Sequence, residues 1–143
     1  MIEQRKLTRE EVRRVIHEAS DEERAWMEFI AKEMGCEPYD ILTKHSEDWD
    51  GLVVDGRPIY FAGIFRNNGR HEFWTVVNRN VSAQFSLFKR AKRSINLWLS
   101  VYGSIYATMK KSWIKNVLWT ERIGFSIFSD TKDTVTFVIN KER

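Results

Sequence analysis

Between Val81 and Thr120 the chain carries seven basic side chains, Lys89, Arg90, Lys92, Arg93, Lys110, Lys111 and Lys115, and no acidic one. A run of that kind can receive an anion, either a nucleic-acid backbone or the phosphates of a nucleotide cofactor. Just ahead of it, Arg79, Asn80 and Ser82 sit where a helix is expected to begin, and the open amides of a helix N-terminus attract the same kind of ligand. The alternative is a solvated basic helix face that balances acidic helices nearer the N-terminus. Charge is divided along the chain: residues 1–50 hold 8 basic and 14 acidic side chains, residues 51–143 hold 15 and 6, and the net charge is only +3.

Other chemistries find less support. His17, His45, His71 and the single Cys36 are scattered and form no metal-ligand spacing. One cysteine excludes an intrachain disulfide and fits a reducing cytoplasm. No stretch approaches the roughly 18 apolar residues of a membrane span, and Met1-Ile2-Glu3-Gln4-Arg5 lacks the apolar core of a secretory signal. The 143 residues, 43% of them hydrophobic, suit one domain with one core.

Several elements must position these residues. Ile2 to Leu7 reads as a short strand. Thr8 and Glu11 have capping-box spacing and open a helix to about Ala19; Ser20 and Glu23 repeat the signature and open a second helix. In that second helix Trp26, Phe29, Ile30 and Met34 form the expected apolar stripe, and Gly35 ends it. Pro38 suits a first helical turn, so residues 38–46 are a third short helix. Asp55-Gly56 is a hairpin signal joining Leu52–Val54 to Ile59–Phe65. A second turn, Asn67-Asn68-Gly69, precedes a strand from about His71 to Val77. Residues 59–65 are apolar on both strand faces, which predicts a sheet covered by helices on both sides.

The longest helix is expected from Val81 to Tyr102, with Val81, Phe85, Phe88, Ile95, Trp98, Leu99 and Tyr102 on its core face, and Gly103 at its end. Ile105–Met109 is then a strand. A long helix between two strands reads as a crossover, so part of the sheet is parallel. Ile114, Val117 and Leu118 repeat at helical spacing in a last helix closed by Gly124, and two final strands follow, with Phe125 and Ile127, then Val135, Phe137 and Ile139, alternating. The fold class is therefore α/β, a mixed sheet of six to seven strands.

Helix, Arg122-Ile123-Gly124-Phe125, strand and strand resembles the C-terminal end of the GNAT superfamily of acyl-CoA N-acyltransferases. The order of elements resembles that fold over nearly the whole chain. From about Phe73 onward the sequence is also similar to the internal virion protein A family of short-tailed bacteriophages. The shared features are a Phe73-Trp74 strand, the basic helix segment Phe88-Lys89-Arg90-Ala91-Lys92-Arg93, and a helix closing in Ile123-Gly124 before a final hairpin. That resemblance implies a small phage-encoded protein with a GNAT-like fold, associated with virion assembly and infectivity.

In working GNAT enzymes the loop after the fourth strand is rich in glycine, and its amides grip the coenzyme A pyrophosphate. The matching loop here runs from Val77 to Gln84, and no glycine lies between Gly69 and Gly103. On this resemblance Val77, Arg79, Asn80, Ser82 and Trp113 are the candidate cofactor contacts. Trp113 stands where relatives often place an Asn. Thr120 stands where active relatives often place a Tyr that protonates the departing thiolate, and an alkyl hydroxyl is a far weaker acid than a phenol. Tyr106, on the preceding strand, is the substitute donor or else a packing residue. Glu72 matches a position that often carries the general base, or else is a surface carboxylate near Arg70.

Two functional readings follow. One is an acyl-CoA-dependent N-acetyltransferase on an amine or protein, using acetyl-CoA, Glu72, and Tyr106 or Thr120. The other, favoured by the missing glycines, is a degenerate acyltransferase without cofactor that binds a phage or host protein, in the cytoplasm or the virion. Trp49, Trp113 and Trp119 are then candidate anchors for the partner, or simply complete the core. Binding of nucleic acid by the basic helix is disfavoured, because its aromatic residues share the core-facing stripe and cannot stack on bases.

Overall fold

The computed structural model describes residues 1–78 and 84–141, the side chains of residues 84–87 excepted. In chain order the elements are β1 (Ile2–Arg5), α1 (Arg9–His17), α2 (Asp21–Met34), α3 (Pro38–His45), β2 (Ser46–Val54), β3 (Arg57–Asn67), β4 (Arg70–Val77), α4 (Gln84–Tyr102), β5 (Ser104–Lys110), α5 (Ile114–Ile123), β6 (Ser126–Asp130) and β7 (Thr134–Asn140). The strands form one seven-stranded sheet in the order β1-β2-β3-β4-β5-β7-β6. β4 and β5 run parallel, as the helical crossover between them requires, whereas β1–β2, β2–β3, β5–β7 and β6–β7 are antiparallel. Pro58 to Phe65 are buried without a break, so both faces of β3 are covered, as its apolar pattern demands.

Contacts gather into two compact units, Met1–Phe65 with Trp74–Ser82, and Arg66–Phe73 with Ala83–Arg143. In the first, Val12, Val15 and Ile16 of α1, Met27 and Ile30 of α2, and Ile41 and Leu42 of α3 pack with Trp49, Val53, Phe61, Phe65 and Val76 of the sheet. Burying side chains of this size contributes about 1.5–3 kcal/mol each. Arg9 and Arg13 of α1 both reach Glu37, and Arg9 also reaches Asp40, fastening α1 to α3. In the second unit Trp98 of α4 lies 6.0 Å from Phe73, and Ile95, Ile105, Ala107 and Phe137 are fully or almost fully buried.

Local signals formed as expected where they depend on near neighbours. Thr8 and Glu11 close a complete capping box. Gly35 ends α2 with a left-handed φ of +68°. Asp55 and Gly56 both have positive φ, the turn that matches strand twist in a two-residue hairpin. Asn68 and Gly69 do the same before β4.

The structure corrects five expectations. Phe29 and Met34 are exposed on α2, and Met27 and Ile30 are its buried pair. β2 begins at Ser46, ahead of the expected Leu52, because Trp49 turns into the core while Glu47 and Asp48 stay in water. On α5, Ile114 and Leu118 are exposed and the buried residues are Thr120 and Ile123, so the inward stripe is rotated from the expected one. Ile127 is exposed because β6 lies at the edge of the sheet. Trp49, a candidate partner anchor, is buried edge-on against Tyr39 at 6.4 Å. Trp113 and Trp119 are half-buried. Val81 lies outside the described residues, as does the side chain of Phe85.

Glu11 links local order to pH. The Arg5 guanidinium grips both of its carboxylate oxygens, at 2.8 and 2.9 Å, and lowers its pKa from 4.5 to about 2. A depressed carboxylate stabilises the fold fully above its unfolded pKa, and that stability drains away as pH falls through the folded value. We expect Glu11→Gln to lower stability at pH 7 by about 1–2 kcal/mol. In denaturant unfolding the gap between wild type and variant should shrink below pH 4.5 and close near pH 2.

Candidate functional site

Glu72 and Tyr106 are brought together. They face each other across β4 and β5 as the register pair of that parallel ladder, which places their Cα atoms about 4.8 Å apart with side chains on the same face. Tyr106 pairs on its other side with Val138 of β7. Both candidates are half-buried. The Glu72 carboxylate accepts one hydrogen bond, from Asn67 Nδ2 at 3.3 Å.

Two further residues complete this face. Arg70, two positions before Glu72 and therefore on the same side of β4, lays its guanidinium over the Tyr106 ring at 5.1 Å and the Phe128 ring at 5.0 Å. Tyr106 and Phe128 meet edge to face at 5.1 Å. Phe128 is the extra residue of a β-bulge between Ile127 and Ser129, and a bulge re-aims the side chain that it adds. Hydroxyls line the margin, with Thr108 bonded to Thr136 at 3.0 Å and Ser104 to Asn140 at 2.7 Å. The result is an aromatic shelf on the second unit that carries one cation and one anion. The opposite face of the same strands, with Ile105, Ala107 and Phe137, is core. Sequence reading named Arg70 only as a neighbour of Glu72 and missed Phe128, since no local signal announces the bulge.

The other candidates lie elsewhere or are occupied. The Thr120 side chain, 5% exposed, donates its hydroxyl to the Asn116 carbonyl one turn back at 2.7 Å. A second contact, to Met109 Sδ at 3.7 Å, also holds this hydroxyl against protein groups. Trp113 is the N-cap residue of α5; its backbone N–H donates to Lys110 O at 3.1 Å and its side chain makes no cap bond. His71 stacks on Tyr102 at 4.3 Å. Arg79, Asn80 and Ser82 lie outside the described residues. Among the described residues no group of His, Cys, Asp and Glu could hold a metal, and no helix is long and apolar enough to cross a membrane.

Val77, the first residue of the expected phosphate loop, is described. Its N–H donates to the Glu23 carboxylate at 3.1 Å. Glu23 was expected to complete a capping box at Ser20. The Ser20 hydroxyl does accept from the Glu23 N–H at 3.2 Å, but the carboxylate reaches the strand end instead of turning back. The next residue is held the same way. Asn78 is buried, its side chain donates to the Glu18 carboxylate, its N–H donates to Ile59 O at 2.8 Å, and it bridges Ala19. Arg57 and Arg14 also donate to Glu18, at 3.2 and 3.1 Å. Desolvation pushes the Glu18 carboxyl up, but these three donors outweigh it and hold the group below the usual carboxylate range.

The mixed seven-stranded sheet, with the last two strands exchanged in space, is the GNAT fold, and solved structures bear this out. An acetyltransferase of the GNAT family from Bacillus anthracis aligns with a TM-score of 0.71 at 15% identity, covering 97% of this chain and 94% of its own. PaiA N-acetyltransferase from Thermoplasma acidophilum, in complex with coenzyme A, aligns at 0.70 and 15% identity over 99% of both chains. Campylobacter jejuni N-acetyltransferase PseH, in complex with acetyl coenzyme A, aligns at 0.65 and 13% identity over 99% of this chain and 100% of its own. No protein-family model matches the sequence, and no curated protein sequence does. At such identities the likeness defines the fold and leaves the chemistry to the residues.

The carboxylate on Val77 makes a direct prediction. Glu23→Ala should release that N–H, raising its hydrogen-exchange rate about tenfold, as loss of one charge-assisted bond of about 1.5 kcal/mol implies. The Asn78 N–H, bonded to Ile59 O, should change little. Equal protection of Val77 in variant and wild type would contradict the assignment.

Proposed function

We propose that this is a phage-encoded GNAT-fold protein that acts by binding a phage or host protein, in virion assembly or in the host cytoplasm, and has given up acyl transfer. The observation that carries this reading is the Glu23 carboxylate on the Val77 N–H. An amide at that point of the loop is one of those expected to face a cofactor anion, and here a resident anion takes it. Coenzyme A therefore fits the described residues poorly. Two losses support the same conclusion: the loop contains no glycine, and the Thr120 hydroxyl is committed to Asn116. The phage context and the protein partner rest on the likeness of Phe73-Trp74, Phe88–Arg93 and Ile123-Gly124 to the internal virion protein A family.

A specific observation favours a second reading, an active N-acyltransferase. Glu72 stands beside Tyr106 on an accessible face, a carboxylate to take a proton from an amine and a phenol to return one. Relatives by fold were solved with acetyl coenzyme A and coenzyme A. On this reading Val77, Arg79, Asn80, Ser82 and Trp113 would hold the cofactor, which supplies the acyl thioester.

Calorimetry with acetyl-CoA separates the two. We expect no heat of binding at millimolar ligand. Micromolar binding that weakens on Arg79→Ala would establish the second reading and overturn the first.

A further inference from the structure

We infer that the shelf formed by Arg70, Glu72, Tyr106, Phe128 and Val138 is a binding site for a small apolar α-amino acid, with its ammonium on Glu72 and its carboxylate on Arg70. The inference goes beyond the proposed function and does not require a cofactor.

Two opposite charges on this shelf do not satisfy each other. Arg70 and Glu72 share one face of β4, yet no ion pair joins them; among the described residues Arg70 has no carboxylate partner at all, and Glu72 has only the neutral amide of Asn67. A flexible surface pair of this spacing would ordinarily close, with little to gain or lose. Here the guanidinium rests over two rings, Tyr106 at 5.1 Å and Phe128 at 5.0 Å. These cation–π contacts make no hydrogen bond, so among the described residues the guanidinium N–H groups keep their capacity to receive a carboxylate. Because the guanidinium already rests on two rings, binding at it loses less side-chain freedom than at a fully solvated arginine.

Glu72 supplies the complementary end. It stands beside Tyr106 on the neighbouring strand, and Arg70 lies over the same ring, so both charges neighbour one phenol. A molecule that satisfies both must carry a cation and an anion close together, as an α-amino acid does. Its side chain would meet Phe128, 49% exposed, and half-buried Val138 on the same face. Those contacts are apolar, which selects an aliphatic side chain over a charged one. Ligands with one charge each leave the other end of the site unpaired.

The test is an NMR titration of the full chain with L-leucine, L-leucinamide and N-acetyl-L-leucine. L-leucine should bind saturably in the millimolar range and shift the amide signals of Glu72, Tyr106 and Val138. Leucinamide lacks the carboxylate and N-acetyl-leucine lacks the ammonium; each should bind about tenfold more weakly, the loss of one charge-assisted contact. Arg70→Gln should weaken L-leucine about tenfold and leave leucinamide unchanged, and Glu72→Gln should do the same with respect to N-acetyl-leucine. Equal affinity for the three wild-type ligands, preference for either singly charged one, or no shift at the solubility limit of leucine would overturn the proposal. Acetyl-CoA calorimetry is read independently, so failure here and failure of the proposed function are told apart.

Discussion

The end of β4 is where this fold meets its sharpest constraint. A strand that stops inside a structure leaves backbone and side-chain polar groups that must find partners, and an unsatisfied buried donor costs about 1–3 kcal/mol. In this chain the partners are carboxylates from the C-cap of α1 and the first turn of α2. Glu23 takes the Val77 N–H and Glu18 takes the Asn78 side chain, with Arg14 and Arg57 balancing the charge on Glu18. Those bonds tie helix, β3 and β4 in one node. They also set a carboxylate against Val77, the last residue of β4. One set of interactions thus closes the core at the end of the strand.

What the sequence made legible was local. A capping box, a left-handed glycine and two hairpin turns are written within four residues of themselves, and Thr8, Gly35, Asp55-Gly56 and Asn68-Gly69 all behaved accordingly. The mixed sheet was legible too, because a strand apolar on both faces and a long helix between strands leave few arrangements. The start of β2 was hidden by its acidic residues, which are tolerated because they face water while Trp49 alone turns inward. The stripe of α5 was misjudged because a buried threonine can bond to its own helix and count as apolar surface.

The site shows the same division. Glu72 and Tyr106 were singled out through resemblance, and the register of one parallel pair brings them together. Arg70 and Phe128 were not found, because their meeting depends on a bulge at a strand edge and on a guanidinium stretched across the sheet. Glu23 was misassigned for an instructive reason. Its spacing from Ser20 suits a capping box, and the hydroxyl half of that box does form. A distant backbone amide then competes for the carboxylate and wins it, and nothing within the helix could signal that.

The bulge at Phe128 has a second consequence. β6 is the outermost strand, its five residues are all exposed, and its free edge offers backbone groups to any extended chain that approaches. A regular edge of that length would template growth by strand addition. The inserted residue breaks the repeat midway, so an incoming strand that pairs with Ser126 and Ile127 falls out of step before Asp130. The irregularity that points an aromatic ring at the shelf therefore also guards the molecule against fibrous self-assembly at high concentration.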